Sequence, residues 1–242
     1  TGQHIFDFGL EAARRVWISV AVAAVAHDFV DGLFIDKARE SSVSFAGVGS
    51  SRMAAWRAGH SAVIDAIAGE IPGEVVLNNA HRMPSARQPG AGSLFERWGQ
   101  QTDHNGLSLI ADIGLLSSLS SHSLLVLARS GGISPGSHVS SAQLQSACGV
   151  GLAAFLVALQ GPSTSYYSCA HDFSWEAEWM QLLDDPIYSQ PLGAPDGNAA
   201  QQSGGWLRRS FSSGTVAAWV KLSQPLQGCV VWATGEVSGD CP

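Results

Sequence analysis

Short runs of β-forming residues alternate with helix-length apolar segments through the first two-thirds of the chain. That alternation limits the folds open to it. Val16, Val20, Ala23 and Ala24 recur at helical spacing within residues 9–27. Met53, Trp56, His60, Val63, Ile64 and Ile67 do the same within residues 52–70, before Pro72-Gly73 ends the run. Two further helices are predicted over residues 105–120 and 141–160, the latter started by Ser140 or Ser141. Between these come Leu33-Phe34-Ile35, Val75-Val76-Leu77 and residues 93–98, 123–129 and 164–168. The order α-β-α-β-loop-β-α-β-α-β predicts parallel strands joined by crossover helices. A continuous apolar run such as Leu33-Phe34-Ile35 fits a strand covered on both faces.

After about residue 185 the pattern changes. Asp185-Pro186, the segment 191–195 and Asp196-Gly197 are turn material. Alternating runs over 205–211, 215–222 and 228–234 then predict an antiparallel β-appendage. The expected division is therefore a parallel α/β portion over 1–185 and a β-unit over 186–242.

The 242 residues suit one large domain or one domain with an appendage. A net charge of −7 and the lack of any basic run argue against a nucleic-acid partner. The most apolar stretch, residues 16–26, is too short for a membrane span and reads as a buried helix. No initiator Met or signal-peptide pattern opens the chain, so a mature form, a fragment or a piece of a longer polypeptide is expected. Cys148, Cys169, Cys229 and Cys241 lack CxxC spacing, which speaks against a zinc knuckle. Two disulfides in a secreted protein and buried free thiols both fit. If disulfides form, Cys229 with Cys241 is a natural pair. The eight histidines are scattered without metal-ligand spacing, and no metal or other cofactor is expected. Neither a Gly-x-Ser-x-Gly elbow nor a dinucleotide loop is present.

Two strands of the alternating portion end in carboxylates, Asp36 and Glu96. In parallel sheets, side chains at the carboxyl ends of strands converge on one site. Taken alone, Asp36 reads equally well as a helix cap or a partner of Lys37 or Arg39. Together, two such carboxylates are what glycosidic bond cleavage needs, provided their surroundings push the two pKa values apart. Trp98, close to Glu96, is the kind of apolar wall that raises a carboxyl pKa. Trp56, Trp175, Trp179 and Tyr166 could stack on sugar rings, although core packing is the commoner use of a Trp.

The ordered set Ala13-Arg14 with Trp17, Asp31-Gly32-Leu33-Phe34-Ile35-Asp36, Gly59-His60, Leu77-Asn78-Asn79 and Glu96-Arg97-Trp98 resembles the C-terminal half of a large, poorly characterised group of TIM-barrel glycoside hydrolases. Ala153-Ala154-Phe155-Leu156, Ser165-Tyr166-Tyr167, Tyr188 with Pro191-Leu192-Gly193-Ala194-Pro195, and Trp206, Arg208, Phe211, Gly214 and Val216 extend the resemblance over nearly the whole chain. It implies a (β/α) TIM-barrel-like fold that lacks its first strands and carries the C-terminal antiparallel β-appendage. It also implies a glycosidase acting on a polysaccharide or oligosaccharide. The compartment stays open, with a secreted or extracytoplasmic location favoured. Asp36 would be nucleophile or base and Glu96 general acid, with Asp31 in support. Asn78, Asn79, His81, Arg97, Trp98, Arg129 and Tyr166 would line the sugar site. Arg97 or Arg129 could meet an anionic sugar, or could equally form ion pairs in loops. Five strands fall short of the eight a barrel needs. The alternatives are a non-catalytic carbohydrate-binding or structural protein with a degenerate barrel, and a subunit whose missing strands another chain supplies.

Overall fold

The computed structural model describes residues 6–36, 38, 45–71, 74–80, 82–88, 90–95, 98, 107–120, 125–130, 140–159, 165–169, 186–221 and 227–242. The chain forms two compact units, Thr1–Leu94 and Phe95–Pro242. It is mixed α/β, with parallel strands in both units and an antiparallel sheet in the second.

In the first unit, α1 (Glu11–Val25), β1 (Gly32–Ile35), α2 (Ser50–Glu70), β2 (Glu74–Asn78) and β3 (Ala91–Phe95, which ends just beyond the unit's last residue) follow the predicted order. β1 pairs with β2 and β2 with β3, all parallel, with Ile35 beside Leu77 and Leu77 beside Ser93. The alternation of a strand sends Ile35, Val75 and Leu77 into a core with Met53, Trp56, Val63, Ile64 and Ile67 of α2. Those α2 residues recur at i, i+3 and i+4, so one face of the helix is buried. Full burial of a side chain such as Ile67 or Leu77 contributes about 1.5–3 kcal/mol. Gly59 lets α2 approach the preceding segment: a Cβ there would lie 1.8 Å from the Phe8 carbonyl oxygen.

The expectation that residues 16–26 form a buried helix is corrected. Ala21 is the buried residue of α1, and Val16 and Val20 are 54% and 63% exposed. The helix packs on α2, and its Trp17 and Ile18 lie half-buried against the core of this unit.

In the second unit, α3 (Leu107–Ser120), β4 (Leu125–Ser130), α4 (Ser141–Ala158) and β5 (Ser165–Cys169) continue the alternation, with β4 and β5 parallel. Ser140 starts α4 through a capping box: its hydroxyl accepts from the Gln143 N–H, and its own N–H donates to Gln143 Oε1 at 3.0 Å. The appendage comprises β6 (Ala200–Gln201), β7 (Trp206–Phe211), β8 (Val216–Lys221), β9 (Gln227–Val231) and β10 (Val237–Gly239), in spatial order β10-β9-β8-β7-β6. The three predicted strands correspond to β7, β8 and β9. The outer two, only two and three residues long, carry no periodic signal. Residues 152–158 of α4 are buried and share one core with Phe211, Val216, Ala218, Val220 and Val230 of the antiparallel sheet. All four cysteines are paired, Cys148 with Cys169 and Cys229 with Cys241, which decides between disulfides and free thiols.

The described strands do not close a barrel, and the four α-helices among the described residues fall short of the eight β/α units a barrel needs. No described helix is long and apolar enough to cross a membrane.

Candidate functional site

The strand ends of the first unit carry the candidate site. Because Ile35 and Leu77 turn into the helix-covered core, the residues that follow them face the other way. Asp36 is exposed immediately after β1, and Asn78 is the last residue of β2, 4% exposed. The Asn78 side-chain amide donates to Asp36 Oδ1 at 2.8 Å. That bond ties the ends of two neighbouring strands and presents a carboxylate at an open surface, with an amide fixing its orientation.

Asn79 adopts a left-handed backbone (φ 56°), a conformation in which Asn is several-fold enriched. Its N–H donates to the Leu94 carbonyl at 2.9 Å, which continues the β2–β3 ladder one residue past β2. The turn redirects the chain as it leaves Asn78. Phe34, on β1 two residues before Asp36, is 57% exposed.

Of the other expected site residues, Glu96, Arg97 and His81 lie outside the described residues, as do Trp175 and Trp179. β3 ends at Phe95, one residue before Glu96. Trp98 belongs to the core of the second unit. It is 1% exposed, its indole N–H donates to the Gly151 carbonyl at 2.9 Å, and Phe95 meets it edge to face. Tyr166 lies on β5 and is 59% exposed, whereas its neighbour Tyr167 turns inward and donates its hydroxyl to the Cys148 carbonyl at 2.8 Å. Arg129 is on β4, and its side chain lies outside the described residues. The structure thus joins Asp36 to Asn78, with Asn79 adjoining.

Sequence reasoning placed Asn78 in the lining without foreseeing its bond to Asp36. The available signal was position: each residue follows the last core residue of its strand. A second feature of this unit was not foreseen. The rings of Phe8, Phe45, Trp56 and His60 form a cluster. Within it, burial lowers the pKa of His60 and favours the neutral imidazole. Among the described residues no group of three His, Cys, Asp or Glu side chains could hold a metal ion.

A family model described as hypothetical glycosyl hydrolase family 15 matches residues 2–215. No curated protein matches the chain.

Proposed function

The chain belongs to the hypothetical glycosyl hydrolase family 15, and from that premise we propose that it cleaves glycosidic bonds of a polysaccharide by a two-carboxylate mechanism. The observation that carries the reading is the exposed Asp36, held by Asn78 at the carboxyl end of a parallel strand. In this reading Asp36 is the nucleophile or general base and Glu96 the general acid. Asn78 orients Asp36 so that its carboxylate approaches the anomeric carbon, or the attacking water, without rotating away. Asn79, His81, Arg97, Arg129 and Tyr166 contact the sugar. The strand portion 1–185 is then part of a (β/α) barrel and residues 186–242 its β-appendage. Two disulfides support an oxidising, extracytoplasmic location.

Reducing-sugar release from a panel of neutral and uronic-acid polysaccharides tests the proposal. Asp36→Asn and Glu96→Gln should each lower turnover by about 10²–10⁴-fold, the usual contribution of a positioned acid or base. Full activity in Asp36→Asn sinks the assignment. Asn78→Ala should lower turnover while leaving the fold intact.

A second reading, in which another chain supplies further strands, is favoured by the exposure of Phe34 on β1 and of Val16 and Val20 on α1. Parallel sheets are ordinarily covered on both faces. A concentration-dependent rise in sedimentation coefficient that is abolished by Phe34→Lys would support it.

A further inference from the structure

A second concave feature of the first unit has no part in the proposed hydrolysis. It is a pocket of about 250 Å³ at the first turns of α2. Its apolar walls are Phe6, Phe45, Val48, Met53 and Trp56, its polar edge is Asp7 with Arg52, and Asp36, Asn78 and Asn79 are not among its walls. The aromatic wall is fixed before any ligand arrives. Trp56 donates its indole N–H to the Phe6 carbonyl at 2.8 Å. The His60 ring stacks on it with centroids 5.2 Å apart and planes 10° apart. Phe45 meets Trp56 edge-on at 5.0 Å. Phe6 is 54% exposed and offers an uncovered ring.

The polar edge is equally well set. Asp7 Oδ2 accepts from Arg52 Nη2 at 2.8 Å and from Nε at 3.3 Å, and Asp7 Oδ1 accepts from the Gly9 N–H at 3.1 Å. The Arg52 hydrogen bond holds the Asp7 carboxyl below its ordinary range, so a carboxylate faces the guanidinium and the two charges offset each other. The Arg52 side chain is nonetheless 72% exposed, and a guanidinium carries five N–H donors. Donors and acceptors therefore stand side by side at zero net charge, next to an aromatic wall.

Those properties select a ligand class. An anion would have to compete with Asp7 for Arg52. A wholly apolar ring would take water from the ion pair and return no hydrogen bond. A pyranose ring has an apolar C–H face and hydroxyls that both donate and accept. The cavity is below the range of about 300–1,000 Å³ usual for drug-sized ligands, which suits one ring rather than several. We propose that this pocket binds a single neutral pyranose unit, with its C–H face on the aromatic wall and its hydroxyls on Asp7 and Arg52.

Methionine methyl NMR tests this directly. The chain has three methionines: Met53 is in the pocket wall, and Met83 is buried in the same unit and outside it. The protein is labelled with ¹³C-methyl methionine and titrated with methyl β-D-glucopyranoside, methyl β-D-galactopyranoside and methyl α-D-mannopyranoside, with benzoate as an anionic aromatic comparator. The expected result is a saturable shift of Met53 with at least one glycoside while Met83 stays in place. Phe6→Ala should weaken that binding about tenfold, the scale of one lost aromatic contact. Phe6→Leu, which keeps most of the volume, serves if Met83 moves in the alanine variant. Asp7→Asn should weaken it as well. Asp36→Asn should leave the Met53 titration unchanged even where it abolishes reducing-sugar release, so the two sites fail separately. The proposal is overturned if Met53 ignores all three glycosides, if it responds to benzoate instead, or if Asp36→Asn removes the shift.

Discussion

In the second unit, α4 is buried over residues 151–158, its small residues lie close to the antiparallel sheet, and two disulfides close loops on either side of that packing. In the first unit, α1 turns Val16 and Val20 outward, β1 shows Phe34, and every described residue is held by non-covalent contacts alone. The first unit nevertheless carries Asp36, Asn78 and the aromatic pocket. Local stability is unevenly distributed in proteins, and binding segments are drawn from its lower end. The contrast predicts that the second unit exchanges its amide hydrogens slowly while the first opens more readily.

The strongest way to break that contrast is to hollow the second core. Phe211 is fully buried, and Phe211→Ala should cost about 3–5 kcal/mol. Hydrogen exchange should then show the second unit opening first, and denaturant titration should show a loss of that size. Next in size is removal of a crosslink. Replacing Cys148 and Cys169 with serine frees a loop of sequence separation 21 and should cost about 3 kcal/mol in the chain-entropy account. Exchange protection around Trp56 should stay unchanged, because that ring cluster belongs wholly to the first unit. Protection lost equally in both units would show that they unfold as one.

A smaller effect is expected at the β7–β8 turn. Ser212 and Ser213 hold left-handed backbones at φ 51° and 58°, which L-residues adopt at a cost. Asp196 offsets it by accepting from the Ser213 and Gly214 N–H groups, each at 2.7 Å. Asp196→Ala should destabilise the second unit by roughly 1–2 kcal/mol, and replacing Ser212-Ser213 with Asn-Gly in that variant should recover part of it. The smallest effect sharpens the comparison from the other side. Burial lowers the folded pKa of His60, so below the ordinary value of 6.5 the unfolded chain binds a proton that the folded one resists. Stability of the first unit should fall as pH drops below 6.5, with a slope under about 1.4 kcal/mol per pH unit. His60→Gln should flatten that slope, and the second unit's stability should not follow it.

The alternation of helices and strands was legible because period and length report directly on backbone geometry. α1 misled because an apolar run looks the same whether or not a neighbour covers it. β6 and β10 left no trace because two or three residues cannot establish a period. Asp36 was legible as a strand-end carboxylate, but its bond to Asn78 depends on the register of β1 against β2, which no local pattern encodes. The pocket was least legible: Asp7 and Arg52 are 45 residues apart, and only the packing of α2 against the segment before α1 brings them together.

The two crosslinks also set how the chain would behave under mechanical tension. Cys148–Cys169 and Cys229–Cys241 short-circuit segments of sequence separation 21 and 12, so pulling on the oxidised chain cannot extend what lies between them. At about 3.3–3.6 Å per extended residue, roughly 70–75 Å and 40–43 Å of contour length stay locked until a reductant arrives. The oxidised protein is thus a shorter tether than its residue count implies, and reduction under load would release that hidden length in two separate steps.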